Sequence, residues 1–225
     1  MSARGVFVTG TDTGVGKTRV AVALIQALRA RGRRVAAMKP VAAGAGPGQM
    51  NEDVAALRAA CNVDVPLSDL NPYAFDLPIA PHIAAELEGT VIEVERVAAS
   101  YARLESAADV VVVEGAGGWR VPLSAQADMA DLAARLRLPV ILVVGMKLGC
   151  LNHAILTAEA IRSRGLRLAG WVANCMDADM AFLDENQAAL LARLPAPCLG
   201  IQPHGPAPQA GMFPQWLTLP EELAS

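Results

Sequence analysis

The chain has 225 residues, of which 53% are hydrophobic and 18% charged, and its mean hydropathy is +0.35. Such a composition can bury a sizeable core, which excludes intrinsic disorder, and the length suits a single domain over residues 1–225. The apolar stretches are far shorter than the roughly 20 residues that cross a bilayer, so we expect no membrane association. A net charge of −3 with 4% aromatic residues also disfavours nucleic-acid binding.

The cysteines and the first residues of the sequence bear on its compartment. Four cysteines are scattered without the CxxC spacing of a zinc site or the pattern of a disulfide framework. The N-terminal residues lack the apolar stretch and small-residue cleavage site of a secretory signal. We therefore expect free thiols and a cytoplasmic location.

Short β-branched runs alternate with segments of helical length. The predicted strands are 6–9, 35–38, 110–113, 139–144 and 168–172, and the predicted helices are 17–30, 52–60 and 151–164. This alternation predicts an α/β fold with a doubly wound, mostly parallel sheet and helices on both faces. Its strands are apolar without two-residue alternation, which is typical of strands covered on both sides. Two Gly/Pro-rich stretches, 42–49 and 195–211, are predicted to be loops.

The most specific motif is GTDTGVGKT at residues 10–18, which follows a predicted strand and opens a predicted helix. This context is that of a phosphate-binding loop, in which successive backbone N–H groups and a helix N-terminus surround phosphates. Lys17 would neutralise the β/γ charge, and the Thr18 hydroxyl would bind Mg²⁺. Thr11 occupies the position that the first glycine has in the usual motif. The alternative is a flexible glycine-rich turn without phosphate binding, and it explains the triplet GKT less well than a phosphate-binding loop does.

Three further charged residues follow predicted strands or begin a helix. Glu114 ends the four-valine strand and precedes the glycine-rich run 115–118, so its carboxylate can reach a metal beside the loop. Lys39 ends the second strand and is followed by Pro40, which favours a second cation aimed at the γ-phosphate over a surface lysine. Asp53 stands at a predicted helix start. There it could equally well complement the helix dipole or bind a metal.

Six motifs in order resemble the dethiobiotin synthetase family over residues 6 to 175. They are GTDTGVGKT, MKPVAAG, NEDVAAL, VEGAGGWRVPL, VVGMKLGCLNHAILT and GWVANC. The resemblance implies a P-loop NTPase fold, ATP and Mg²⁺ as cofactors, and a homodimer with its substrate site at the interface. It also implies the reaction: 7,8-diaminononanoate, CO₂ and ATP give dethiobiotin, ADP and phosphate in biotin biosynthesis, through a carbamate and a carbamic-phosphoric anhydride.

The resemblance further implies a role for each matching residue. Catalysis would involve Lys17, Lys39 and Thr13, and Mg²⁺ would bind to Thr18, Asp53 and Glu114. The nucleotide would bind to Thr13, Gly14, Val15, Gly16, Lys17, Thr18, Glu114, Gly117 and Asn174, the last of which would recognise the base. The diamine would bind to Lys39, Ala43, Gly117, Cys150, Leu151 and Asn152. Ala43 departs from the hydroxyl residue common in the family, and Trp119 and Arg120 are expected to wall the site.

Three other functions compete with this interpretation. A partner-regulated ATPase switch of the same superfamily, of the chromosome-partitioning or septum-positioning type, would carry a lysine where this chain has Asp12. A nucleotide-binding scaffold without catalysis is disfavoured only weakly, by Lys39 and Glu114. An amide ligase of the cobyrinic acid type would need a glutaminase domain, for which the residues after Gly205 leave no room. The preference among ATP, CTP and GTP stays open.

Overall fold

The computed structural model describes residues 5–205 and 214–224 of the chain. The strands in these residues are β1 (Gly5–Gly10), β2 (Val35–Met38), β3 (Val41–Ala43), β4 (Tyr73–Phe75), β5 (Val110–Glu114), β6 (Val140–Met146), β7 (Leu168–Cys175) and β8 (Cys198–Gln202). The helices are α1 (Lys17–Arg29), α2 (Glu52–Ala60), α3 (Leu67–Leu70), α4 (Pro81–Leu87), α5 (Val94–Ala107), α6 (Met129–Leu136), α7 (Cys150–Ser163), α8 (Leu183–Arg193) and α9 (Glu221–Ala224). The single domain over residues 1–225 stays a prediction.

The main sheet has six parallel strands in the order β2-β5-β1-β6-β7-β8, and β3 and β4 form a separate parallel pair. The chain leaves the central strand β1 toward β2 on one side and later toward β8 on the other. This order confirms the predicted doubly wound sheet. It also brings the carboxyl ends of β1, β2, β5 and β7 to one edge, where ligands bind in such sheets.

Each buried strand contributes side chains to two hydrophobic cores, one on each face of the sheet. In β5, Val111 and Val113 belong to the core cluster that contains residues of α5, α6 and α7, whereas Val110 and Val112 belong to the cluster on the α1 face. Because both faces of the strand are covered, every position is apolar until Glu114. The continuous valine run is thus the sequence signature of a strand in a three-layer sandwich.

Both predicted loops are partly wrong, because each contains strand residues. Residues 42–49 begin inside β3, and residues 195–211 contain β8, which pairs with β7 along the edge of the sheet. The short strand β8 has prolines on both sides and Gly200 inside it, so its composition resembles that of a turn. Residues 206–211 of the second predicted loop lie outside the described residues.

Two expectations from composition concern membranes and thiols. Within residues 5–205 and 214–224, none of the helices combines the length and the hydropathy that crossing a bilayer requires. The four cysteines are free thiols, as expected. Burial raises the pKa of Cys61 to about 11, which keeps that thiol protonated at neutral pH.

The short helix α3 fixes the backbone at the end of β2. The Lys39 N–H donates to the carbonyl of Leu70 at 2.7 Å, and Asn71 Nδ2 donates to the carbonyl of Lys39, also at 2.7 Å. The buried Asp69 of α3 accepts hydrogen bonds from Arg103 Nε and Nη2 of α5 at 2.9 and 2.7 Å. Helix α5 therefore holds α3, and α3 holds the peptide that carries the Lys39 side chain.

Asp69→Asn tests this support. Hydrogen bonds from Arg103 hold the pKa of the Asp69 carboxyl below its ordinary value of 3.8, so the ionised pair stabilises the fold above that pH. This contribution is lost as the pH falls through the depressed pKa. We expect Asp69→Asn to unfold at a lower urea concentration than the wild type at pH 7, and the difference to shrink as the pH falls below 3.8.

Glu95→Gln is the matched control, because Glu95 pairs with Arg135 at a fully exposed position on the same helix α5. It should leave the urea midpoint nearly unchanged at both pH values. Identical midpoints for Asp69→Asn and wild type at pH 7 would contradict the proposed support.

Candidate active site

The phosphate loop, residues 10–18, connects the central strand β1 to helix α1. Gly14 and Gly16 have left-handed backbones with φ of 72° and 88°, a conformation that favours glycine. A Cβ at Gly16 would lie 2.3 Å from Asn174 Nδ2, whereas a Cβ at Gly14 would meet nothing within 4 Å. The turn accounts for glycine at both positions, and at Gly16 the missing side chain also lets the loop lie against β7.

Asp12 organises the loop, a role that the sequence did not reveal. Its carbonyl accepts a hydrogen bond from Lys17 Nζ at 3.0 Å, and its Oδ1 accepts one from the Thr13 N–H at 2.7 Å. Its Oδ2 forms an ion pair at 2.9 Å with Lys147, which follows β6. The hydrogen bond from Lys147 is the main reason that the pKa of Asp12 is lowered. Asp12 therefore joins the phosphate loop to the segment that enters α7.

A charged cluster lies beside the loop, and its four side chains come from four different parts of the chain. Lys39 Nζ lies 2.5 Å from Glu114 Oε1 and 2.8 Å from Asp53 Oδ2. Thr18 Oγ1 lies 2.6 Å from Asp53 Oδ1 and 2.9 Å from Glu114 Oε1, so its hydroxyl can donate to either carboxylate. The structure therefore brings together the predicted second lysine and all three predicted metal ligands.

Burial and the neighbouring charges together determine the protonation states of the side chains in this cluster. Burial alone would lower the pKa of Lys39, but Glu114 and Asp53 outweigh it and the pKa is raised, so Lys39 stays an ammonium. Burial raises the pKa of Glu114, which is 0% exposed, and Lys39 offsets that only in part. Burial, and next the charge of Lys39, lowers the pKa of Lys17 to about 8. Both lysines are therefore mainly cationic at neutral pH.

The oxygen atoms of the cluster fit a magnesium ion. Glu114 Oε2 is buried and has no hydrogen-bond partner within the described residues, so one lone-pair-bearing oxygen is available beside the loop. Magnesium binds oxygen ligands and commonly uses one or two carboxylates together with substrate phosphates. In the part of the chain that the structure describes, no group of three or more His, Cys, Asp or Glu side chains could hold a metal by itself. The cluster therefore suits a metal that arrives with a phosphate ligand.

A cavity of about 680 Å³ opens over the cluster, large enough for a nucleotide and a small substrate. Most predicted site residues line it: Thr13, Gly14, Gly16, Lys17, Thr18, Lys39, Ala43, Asp53, Glu114 and Gly117. Its wall also contains residues that the sequence did not single out, namely Arg19 and the segment 78–81 before and at the start of α4. Positive φ at Gly117, together with its close approach to Val121, gives the cavity a backbone wall on the β5 side.

Two residues predicted to bind the nucleotide, Val15 of the loop and Asn174 of β7, do not line the cavity. Val15 is fully buried, and Asn174 is 4% exposed at the end of β7. Asn174 Nδ2 donates to the Val15 carbonyl at 2.8 Å, while its Oδ1 has no partner in the described residues. Asn174 therefore supports the loop, and base recognition by its oxygen stays a prediction.

The three residues predicted at the start of α7 differ in exposure, and none lines the cavity of its own chain. Cys150 is buried in the core, Leu151 is half-buried and Asn152 is exposed. The neighbouring Leu148 is fully exposed. Because the Cys150 thiol faces the core, only the backbone of this residue remains a candidate for contact with a substrate.

The expectation that Trp119 and Arg120 wall the site is wrong. Trp119 is 4% exposed and packs edge-to-face on Phe7 with ring centroids 6.3 Å apart, inside the core. Arg120 forms an ion pair with Asp128, which caps helix α6. An aromatic residue after a glycine run gains more from burying its ring than from facing a wet cavity.

The parallel sheet and the loop after its central strand define the class: this is a P-loop nucleotide-binding protein. A family model described as an AAA domain matches residues 4–209. An "ATP-dependent dethiobiotin synthetase BioD" of Aromatoleum aromaticum is 56% identical over 204 residues, covering 89% of this chain and 91% of the relative. One of the same name from Ralstonia nicotianae is 53% identical and covers 91% and 90%. The chain belongs to the dethiobiotin synthetase family.

Among solved structures, the MinD cell division protein of Aquifex aeolicus is similar with a TM-score of 0.56. The two sequences are 16% identical, and the similarity covers 91% of this chain and 83% of that one. At this level of identity the similarity concerns the fold alone. It therefore does not favour the competing interpretation as a partner-regulated ATPase.

Gly16→Ala tests whether close packing against Asn174 shapes the loop. Both Gly16→Ala and Gly14→Ala force alanine into a left-handed backbone, which costs about 1–2 kcal/mol. Only Gly16→Ala also pushes a methyl group into the buried Asn174 amide. We expect Gly16→Ala to abolish binding of magnesium tripolyphosphate in calorimetric titrations, and Gly14→Ala to weaken it by about tenfold or less. Equal losses in the two variants would contradict the packing argument.

Proposed function

We propose that this chain catalyses the ATP-dependent carboxylation and ring closure of 7,8-diaminononanoate with CO₂, giving dethiobiotin, ADP and phosphate in biotin biosynthesis. The observation that carries the proposal is the convergence of Lys39, Asp53, Glu114 and Thr18 beside the phosphate-loop Lys17. Family membership supplies the substrate, since relatives named for this activity match nearly the whole chain.

The proposed reaction has three steps. An unprotonated amine of the substrate adds to CO₂ and releases a proton to solvent, which gives a carbamate. A carbamate oxygen then attacks the γ-phosphorus of ATP; the new O–P bond forms as the bond to ADP breaks, giving a carbamic-phosphoric anhydride. The second amine attacks the carbonyl carbon of this anhydride; the C–O bond to phosphate breaks, and phosphate leaves with the proton of the amine as the ring closes. Holding both amines in one cavity makes the last step effectively unimolecular.

The two lysines act by charge rather than as bases. Lys39 is held protonated by the carboxylates, and the pKa of Lys17 near 8 keeps it largely protonated at pH 7. Two ammonium groups can therefore neutralise charge that develops on the transferred phosphoryl group. Thr13 lines the same cavity and lies opposite Gly117, where it can contact the carbamate or the γ-phosphate.

Magnesium is part of the proposal. Thr18, Asp53 and Glu114 would hold it, and the bound ion would neutralise phosphate charge and orient the triphosphate. The support is the hard-oxygen character of these three side chains and the buried, unpartnered Oε2 of Glu114.

The diamine would lie along the wall formed by Ala43 and Gly117. Asn51 Nδ2 donates to the Ala43 carbonyl at 3.1 Å, so the backbone here is fixed even without the hydroxyl common in the family. Pro78 and Ile79 give the same cavity an apolar side suited to a methylene chain.

We propose a homodimer in which the start of α7 from a second copy binds the substrate carboxylate. Support comes from two observations: residues 150–152 do not line the cavity of their own chain, and Leu148 beside them is fully exposed. Backbone N–H groups at a helix N-terminus are favourable for an anion.

Two further parts of the proposal concern the base and the location of the protein. The unpartnered Oδ1 of Asn174 supports a contact with the base. The four free thiols are consistent with a cytoplasmic location.

The test combines the protein with magnesium ATP, bicarbonate and diaminononanoate and looks for the ring-closed product by mass spectrometry. We expect dethiobiotin and one phosphate per product, with both depending on the diamine. Phosphate release at the same rate without the diamine would contradict the synthetase function and favour an ATPase switch.

Lys17→Ala and Lys39→Ala are the diagnostic variants. Each removes one of the charges that face the phosphoryl group. We expect a loss of about 3 kcal/mol of transition-state stabilisation, which lowers kcat/KM roughly 100- to 1000-fold. Arg31→Ala, beyond the end of α1 and away from the cavity, is the control and should keep full activity. Wild-type turnover in either lysine variant would refute its assigned role.

A further inference from the structure

Arg19 is a third cation in the cavity wall, and the sheet holds it through Gln202. Arg19 directly follows Thr18 on the first turn of α1 and lines the cavity. With the Gln202 amide oriented so that its oxygen faces the guanidinium, this oxygen accepts from Arg19 Nη2 at 2.9 Å and from Nε at 2.7 Å. Gln202 ends β8 and is 1% exposed, so its side chain is itself firmly placed.

The strand order separates Gln202, and with it the guanidinium of Arg19, from Lys39 and Glu114. Lys39 follows β2 and Glu114 ends β5, and both strands lie on one side of the central β1. Gln202 ends β8 on the opposite side and is the register partner of Asn174 in β7. Because Asn174 is proposed to contact the base, a triphosphate whose terminal group meets Lys39 would extend toward β7, the side on which Gln202 holds Arg19.

We propose that Arg19 is a further nucleotide-binding residue, whose guanidinium, oriented by Gln202, binds the α-phosphate. This inference rests on the proposed use of ATP. A guanidinium carries five N–H donors in a planar fork, so it can hold the Gln202 oxygen and a phosphate oxygen together. Arg19 also directly follows Thr18, so it is adjacent in the chain to the residues assigned to the β- and γ-phosphates.

A purely structural role for the pair is the competing explanation, since a buried glutamine needs a hydrogen-bond partner whether or not a ligand binds. If the role is structural, substitutions of the pair change the stability of the fold. They change the affinities for phosphate ligands only to the extent that the folded fraction of the protein changes. If Arg19 contacts the α-phosphate, removing that contact instead lowers affinity in the folded variants, equally for ATP and for a triphosphate without a nucleoside.

Calorimetric titration of the full-length protein with magnesium ATP and with magnesium tripolyphosphate tests the proposal. We expect Arg19→Gln to weaken both ligands by about tenfold, because one charge-assisted hydrogen bond is lost. Arg19→Lys should recover part of this loss, since the charge remains while the planar fork is gone. Gln202→Leu should weaken both ligands several-fold, because Arg19 loses its orientation. Arg31→Gln is the matched control and should leave both affinities unchanged.

Each other result has a distinct meaning. Weaker binding of ATP alone would place Arg19 against the base and overturn the α-phosphate contact. Unchanged affinity for both ligands in folded Arg19→Gln and Arg19→Lys, verified by urea midpoints, would leave only the structural role and also overturn it. If the wild-type protein bound tripolyphosphate but not ATP, the proposed use of ATP would fail, whatever the variants did.

Discussion

The ion pair between Lys39 and Glu114 is the interaction on which the site depends. Both side chains are almost completely buried, and a buried charge is costly unless a partner of opposite charge satisfies it. Their proximity follows from the sheet: β2 and β5 are neighbours in parallel register with Met38 opposite Val113, so the next residues along each strand lie side by side. The valine core thus places two opposite charges next to the phosphate loop.

Much of the fold and the centre of the site could be predicted because their signals are local. A strand, the triplet GKT and a helix stand together in the sequence, and Glu114 follows four valines directly. Asp53 could not be decided from the sequence, because a first-turn carboxylate looks the same in either role. In the structure its N–H is capped by Asn51 while its carboxylate faces Lys39 and Thr18, so Asp53 stands at the helix start and also belongs to the charged cluster.

The features that the sequence did not predict are contacts between distant segments. The link from Asp12 to Lys147 and the pair of Arg19 with Gln202 each join residues more than 130 positions apart, and neither has a motif. Strand β8 was not predicted, because the prolines on both sides of it are typical of a turn. Asn71, which holds the backbone of Lys39, looks like an ordinary turn residue. These contacts join loop and helix residues to the ends of strands that are distant in sequence, so only the folded chain reveals them.

The most direct measurement is a crystal structure of the protein with magnesium, ADP and aluminium fluoride, which mimics a phosphoryl group in transfer. The account predicts that Lys17 and Lys39 both donate to the fluoride group, while Asp53, Glu114 and Thr18 surround the metal. A structure in which Lys39 keeps both carboxylates and the fluoride group contacts only the loop would contradict it.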